Sequence, residues 1–462
     1  MHTQLIYVIF MSEILEQENF HQTLHQVNEA LESGMFVYVR KLLQGMSAYD
    51  LALILESSTA KNRPILWQLI DVEHHGEVLE ELNEEVRKGI LQSMRPEKLA
   101  AVAEGMDVDD IAEVLRTLPD GVYREVLNSM DSQDRSRVET ALSYEEDTAG
   151  GIMNTDTITL RPEVSVDVVL RYLRLKGQLP EATDSLYVVD RNNFFIGAVS
   201  LAAIITAQPH IIISTLINAE IEAIQADMDE QEVAQLFERH DWFSAPIVDQ
   251  GGHLLGRITI DDVVDIIREN AEHSMMSMAG LDDEADTFAP VIKSTKQRSL
   301  WLGVNLITAL LAVAVTSMFE ELFQQLAILA VLNSLVPSMG GVAGNQTLTL
   351  VIRGMALGHV GDSNARALLN KEAAIGFLNG IIWALLIATF VAIWKQDLML
   401  GAVIAVAMLM NMTAAGLAGV SIPLMLKRLN IDPALAGSVI ITTVTDVIGI
   451  FAFLGTATLL LT

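Results

Sequence analysis

The chain contains no cysteine, so neither a disulfide framework nor a thiolate metal site can form. Basic residues are also scarce. Only 29 Lys and Arg stand against 59 Asp and Glu over 462 residues, a formal charge of −30. Such a surface repels phosphate, which excludes nucleic acid as the natural partner, and it invites hard cations. The excess is unevenly spread. Residues 1–292 hold 52 acids and 20 bases, whereas residues from Lys293 onward hold seven and nine. An acidic soluble body is therefore followed by a near-neutral one. What the second body lacks in charge it has in long apolar runs, about 300–319, 322–350, 373–394, 398–426 and 433–461. Each reaches the roughly 20 residues that a helix needs to cross hydrocarbon.

One acid, Asp446, sits in the middle of the last run. An ionisable group at that depth costs at least about 2.5 kcal/mol, so it faces a wet cavity or a partner. Helical spacing puts Thr442 and Ser438 on its face and Gly449 one turn on, with Val, Ile, Leu and Phe opposite. The stripe reads as the wall of a cation path. Asp432 suits the N-cap before Pro433, and it also stands at the cytosolic mouth of the same helix. The small residues from Pro337 to Gln346 either pack helices closely or line a cavity, and Asn345 and Gln346 favour the cavity. Asn411, a further polar residue in the fourth run, is expected on the ion path together with Asp446, Thr442, Ser438, Asp432 and Asn345.

Bases fall at alternate ends of the runs: Lys293, Lys296 and Arg298, then Arg353, Arg366 and Lys371, then Lys427 and Arg428. This predicts a multi-pass protein of the cell (inner) membrane, with cytoplasmic N-terminal domains and the C-terminus outside. Five spans without an internal repeat make a homodimer the natural way to build a central path through the lipid. An ion-coupled carrier for another divalent cation such as Mn2+ or Co2+ is the alternative. It would call for repeated halves and a second buried acid or base, and neither is evident in the spans. No nucleophile–base pair, catalytic metal triad or phosphate loop is present, so the chain is not read as an enzyme.

In the soluble body, residues 20–145 show helical periodicity, with short apolar-faced helices that predict a small superhelix after an N-terminal tail, 1–19. Asp107, Asp109 and Asp110 gather at one helix start, as N-capping groups or as cation ligands. Residues 146–273 contain a duplication. Ser185–Asp190 and Gly197–Ser200 recur 59 residues later as Ser244–Asp249 and Gly256–Thr259. The pattern resembles a pair of CBS modules, which are regulatory. That likeness implies an adenosine site at Thr259 and Asp262, with ATP as a possible ligand; the first copy has Ala203 where the acid would be. Asp262, Asp265, Glu269 and Glu272 line one helix face with Arg268 as the only nearby base. Such a face repels itself unless it is solvated or shares a divalent cation. Residues 274–298 read as a connecting helix and linker, and 299–462 as the membrane domain.

The order of these parts resembles the MgtE family of magnesium channels. So do the stretches Tyr144–Met153, Gly340–Gln346, Asp432–Ala434 and Thr445–Gly449. The resemblance implies a multidomain fold: an α-helical superhelical N domain, an α+β CBS pair, a connecting helix and a five-helix all-α transmembrane domain. It implies Mg2+ as both transported and regulatory ion. Asp446 corresponds to the pore acid, one from each subunit of a homodimer, and Asp432 to an acid near the cytosolic exit. Asp229, Asp241, Asp262 and Asp265 fall at regulatory magnesium positions. Val342 and Ser438 stand where relatives have Asn, and Asn270 and His273 where relatives are often acidic.

Overall fold

The computed structural model describes residues 20–103, 106–118, 120–180, 182–218, 221–281, 286–361 and 363–461; the expected tail 1–19 lies outside them. The chain separates into two compact units, residues 1–271 with 284–290, and residues 272–283 with 291–462.

The described residues of the first unit open in a helix over 20–32, followed by short helices from Phe36–Leu43 to Ser132–Leu142 and including α1 (Val108–Arg116). Helices this short are marginal alone, so their stability comes from shared burial. Leu51, Ile54, Leu55, Leu66, Leu79 and Leu115 supply one core. Polar caps set individual starts: the Ser47 hydroxyl accepts from Asp50 N, and the Asn83 side chain accepts from Val86 N. Arg63 is buried beneath this layer. It donates to the Leu55 and Glu56 carbonyls and forms a two-pronged ion pair with Asp286, at 2.5 and 2.7 Å.

Two three-stranded sheets follow. In the first, β1 (Thr159–Leu160) runs parallel to β2 (Ser185–Val189), which pairs antiparallel with β3 (Phe195–Ser200). In the second, β4 (Ile224–Gln225), β5 (Ser244–Val248) and β6 (Leu254–Thr259) repeat that order. The duplication extends to a bulge at Val188/Val189 and again at Ile247/Val248. The hairpins also exchange equivalent bonds, from Phe195 N to Gly252 O and from Leu254 N to Asn193 O. Each sheet is backed by an amphipathic helix, α2 (Val166–Lys176) or α3 (Glu230–His240). Helix α4 (Ile260–Met278) leaves β6 directly. In the stretch 274–298 that the sequence suggests as a connecting helix and linker, α4 runs to 278, residues 286–290 are irregular, and the next helix begins at 291.

Among the described residues, the second unit contains five stretches long and apolar enough to cross a membrane. They are α5 (Val291–Ser317), a broken second span of Ala327–Leu332 and α6 (Leu335–Ala356), α7 (Ala365–Lys395), α8 (Leu398–Arg428) and α9 (Pro433–Leu461). The second span breaks at Asn333 and Ser334, and Pro337 sits in the first turn of α6, where its missing N–H costs little. Helix α8 is the hub: it packs on α6, α7 and α9 and carries the most buried face, including Ile404, Ala407, Met408 and Ala415. Helix α5 buries no residue within this chain.

Candidate functional site: an acid-lined cavity and an acidic soluble face

Helix α6 has two faces. Gly340, Gly344, Thr347, Leu348 and Val351 are buried against the bundle. The opposite face turns Pro337, Ser338, Gly341, Val342, Asn345, Gln346 and Thr349 into an open-sided cavity of about 500 Å³. Helix α9 completes the lining with Thr442 and Asp446. The Asp446 carboxyl group has no hydrogen bond or ion pair among the described residues, so it is free to meet something in the cavity. Thr442 Oγ1 donates to Ser438 O at 2.8 Å, which leaves its lone pairs available to water. The close approach of the two walls needs glycine, since a Cβ at Gly344 would stand 2.5 Å from the Ile441 side chain.

Other residues expected on the ion path sit elsewhere. Ser438 is half-buried and contributes its carbonyl to Thr442, but it is not part of the cavity lining. Asn411 is fully buried behind α6 and donates to the Val336 carbonyl at 2.7 Å. Asp432 caps α9, accepting from Ala434 N at 2.9 Å and Leu435 N at 3.2 Å, and it also lies 3.3 Å from His273 Nε2. Cap and ion partner therefore coexist at one carboxylate.

Glu372 of α7 is a buried acid in the bundle that the sequence reading passed over. It accepts a long hydrogen bond from Thr347 Oγ1, at 3.3 Å, and lies 3.6 Å from Lys371 Nζ. Hydropathy ends the third run at 373, but the helix continues back to Ala365. The signal was a stripe at every fourth position, Glu372, Gly376, Gly380 and Ala384, all of them buried.

In the first unit the acids form two neighbourhoods. Burial first, then Glu80 and Asp262, pushes Asp110 up to about 8. Burial likewise raises Asp109, with Asp262, Asp110 and Asp107 adding to it, and one Asp109 oxygen is buried without a partner. Asp262 rises to about 6, through burial set against two bonds from Thr259. Nearby on α4, burial raises Asp265 and takes Glu269 to about 7, aided by Glu113. The second neighbourhood centres on Glu230, pushed to about 7 by burial and then by Asp147, Glu269 and Asp229.

Asp229 and Asp241 are not brought together. Asp229 caps the start of α3 and Asp241 ends it in a left-handed conformation, about 18 Å apart by helical rise. Glu272 belongs to the second unit, on the last turns of α4. Among the described residues, no three carboxylates or imidazoles are placed to hold a metal ion directly. The donor chemistry suits a hard cation that keeps its water, because Mg2+ dehydrates reluctantly. Asp147 and Glu230 were not singled out as ligands from sequence; only folding brings them near the named acids.

Comparison with known proteins follows this division of the chain. Residues 46–147 match the MgtE intracellular N domain, 149–210 and 213–269 match CBS domains, and 333–456 match MgtE, a divalent cation transporter family. The magnesium transporter MgtE of Enterococcus faecalis is 29% identical over 434 residues, 93% of this chain and 95% of its own length. That of Thermus thermophilus is 29% identical over 440 residues, 94% of this chain and 98% of its own. Among solved structures, the cytosolic domain of the Mg2+ channel MgtE in complex with ATP is 30% identical, covers 53% of this chain and 99% of its own, and has a TM-score of 0.49.

Proposed function

Because the chain belongs to the MgtE family, we propose that it conducts Mg2+ through the cell membrane by way of a throat at Asp446. One observation carries this reading: an unpaired acid on an apolar helix, facing an open-sided cavity that Asn345, Gln346 and Thr442 also line. Mg2+ favours one or two carboxylates and retained waters. The acid with Thr442, Asn345 and backbone carbonyls of α6 offers that kind of lining. Helices α6 and α9 wall the cavity from one protomer, and a second copy across a two-fold axis closes it. Two carboxylates then match the charge of one hydrated ion. The alternating bases support a cytoplasmic first unit and an outside C-terminus.

Regulation resides in the acidic first unit. The residues that would hold regulatory Mg2+ are Asp107, Asp110, Asp262 and Asp265 in one neighbourhood and Asp229 in the other, with Asp241 as an outlying ligand. A bound ion supplies positive charge among acids that otherwise repel. Without that charge the acids favour a splayed arrangement and an open path; with it the compact, closed arrangement gains population. Thr259 and Asp262 would also hold the ribose of ATP, for which Asp262 has one oxygen not taken by Thr259.

A coupled carrier for Mn2+ or Co2+ is the second reading, and the buried Glu372 is the observation that favours it. Mg2+ entry into proteoliposomes holding the purified full chain separates the two. Conduction predicts entry that rises with Mg2+ concentration and ignores an imposed proton or sodium gradient. Entry that stops when the gradient is collapsed contradicts it.

A further inference from the structure

The cavity's two walls meet, behind the cavity, at one side chain of a third helix. Asn411 of α8 is 0% exposed, and its Nδ2 donates to the Val336 carbonyl of α6 at 2.7 Å. The approach depends on Gly340, where a Cβ would overlap that same amide. From the other side, a Cβ at Gly449 of α9 would lie 2.8 Å from Nδ2 and 3.1 Å from Pro337 Cα. Three helices therefore close on one amide. Its position along each wall is telling: Gly449 follows Asp446 by three residues, and Pro337 and Gly341, both on the cavity lining, bracket Gly340.

Stability alone does not account for an asparagine here. Its Oδ1 is buried with no hydrogen-bond partner, and such an orphaned acceptor is destabilising. Leucine has nearly the same shape and carries no acceptor to strand. What leucine cannot do is tie α6 through a carbonyl while seating Gly449.

We propose that Asn411 is a positioning residue for cation passage, fixing the spacing between the Asp446 wall and the Gly341–Asn345 wall without touching the ion. Its consequence for flux rests on the transport reading above; its geometric effect does not. Full-length Asn411→Leu is expected to unfold at the same temperature as the parent or higher. Its Mg2+ entry into proteoliposomes falls about tenfold, the usual scale when a supporting contact behind a metal site is lost. The ratio of Mg2+ to Ca2+ entry falls with it, a change that a lower yield of folded protein would not produce.

A second readout needs no transport. Since the chain has no cysteine, Val342→Cys places a single thiol on the cavity wall, at a position 56% exposed. Its modification by a cationic thiosulfonate should change severalfold when Asn411→Leu is added. If Asn411→Leu does not fold, Asn411→Ser carries the same two measurements. An unchanged thiol rate together with an unchanged ion ratio overturns the proposal. A changed thiol rate in a protein that passes no Mg2+ supports the positioning role and overturns the transport reading instead.

Discussion

In the proposed function Asp446 acts through charge, and magnitudes decide how much of the path it would govern. Two unit charges about 5 Å apart at an effective dielectric near 20 interact by ~3 kcal/mol, and a divalent ion doubles that. A hydroxyl–water bond contributes about 1 kcal/mol. Thr442→Val should therefore slow Mg2+ entry by about fivefold, the equivalent of one such bond, while leaving selectivity largely intact. A fall as deep as that of an Asp446 variant would contradict this ordering. Asp432 gives a second contrast. Asp432→Ala removes the cap of α9 and should cost about 1 kcal/mol, whereas Asp432→Asn retains cap acceptors and should unfold near the parent temperature. Asp446, Thr442 and Asp432 were legible in the sequence because each stands out from an apolar or capping background. Asn411 looked the same in sequence, but helical phase alone could not tell a cavity face from the bundle interior.

At the scale of elements, α6 connects the bundle's packing to the cavity, because one side of the helix is buried and the other lines the cavity. Its second polar tie, Thr347 to Glu372, lies two residues from both Asn345 and Thr349. The Arg63–Asp286 pair makes the comparable tie in the first unit, holding segment 286–290 to the short helices with side chains 8% and 4% exposed. Arg63→Ala removes the cation facing a buried carboxylate and should destabilise that unit by about 3–5 kcal/mol, seen as a lower unfolding midpoint and faster proteolysis. Arg63→Met with Asp286→Leu should recover much of the loss. Equal instability in the single and double variants would contradict this account. The five spans were readable as long apolar runs and the duplicated sheets as a repeat offset by 59 residues. The 223-residue separation between Arg63 and Asp286 carried no local signal at all.

At the scale of the whole molecule, the proposed regulation makes the compact state of the acid-rich first unit sensitive to protons and cations together. The buried acids hold raised values, Asp262 about 6, Glu230 about 7 and Asp110 about 8. An acid raised on folding contributes stability that is present below its unfolded value, near 4, and lost as pH rises through its folded one. In chelator, the full-length protein should therefore become more protease-sensitive in its first unit between about pH 6 and about pH 8. Added Mg2+ should reverse this more strongly at the higher pH, where the acids are ionised. A protease pattern indifferent to both pH and Mg2+ would contradict the regulatory reading. The excess of acids was plain from composition, but which acids share a neighbourhood depended on how α1, α3 and α4 pack.

The central claim is that a single acid in α9 governs passage of the ion. Its most direct test compares initial Mg2+ entry into proteoliposomes for the parent and for Asp446→Asn, at matched amounts of folded, reconstituted protein. The account predicts that the neutral side chain, nearly identical in shape, abolishes Mg2+ entry or removes its preference over monovalent ions; unaltered rate and selectivity would contradict it.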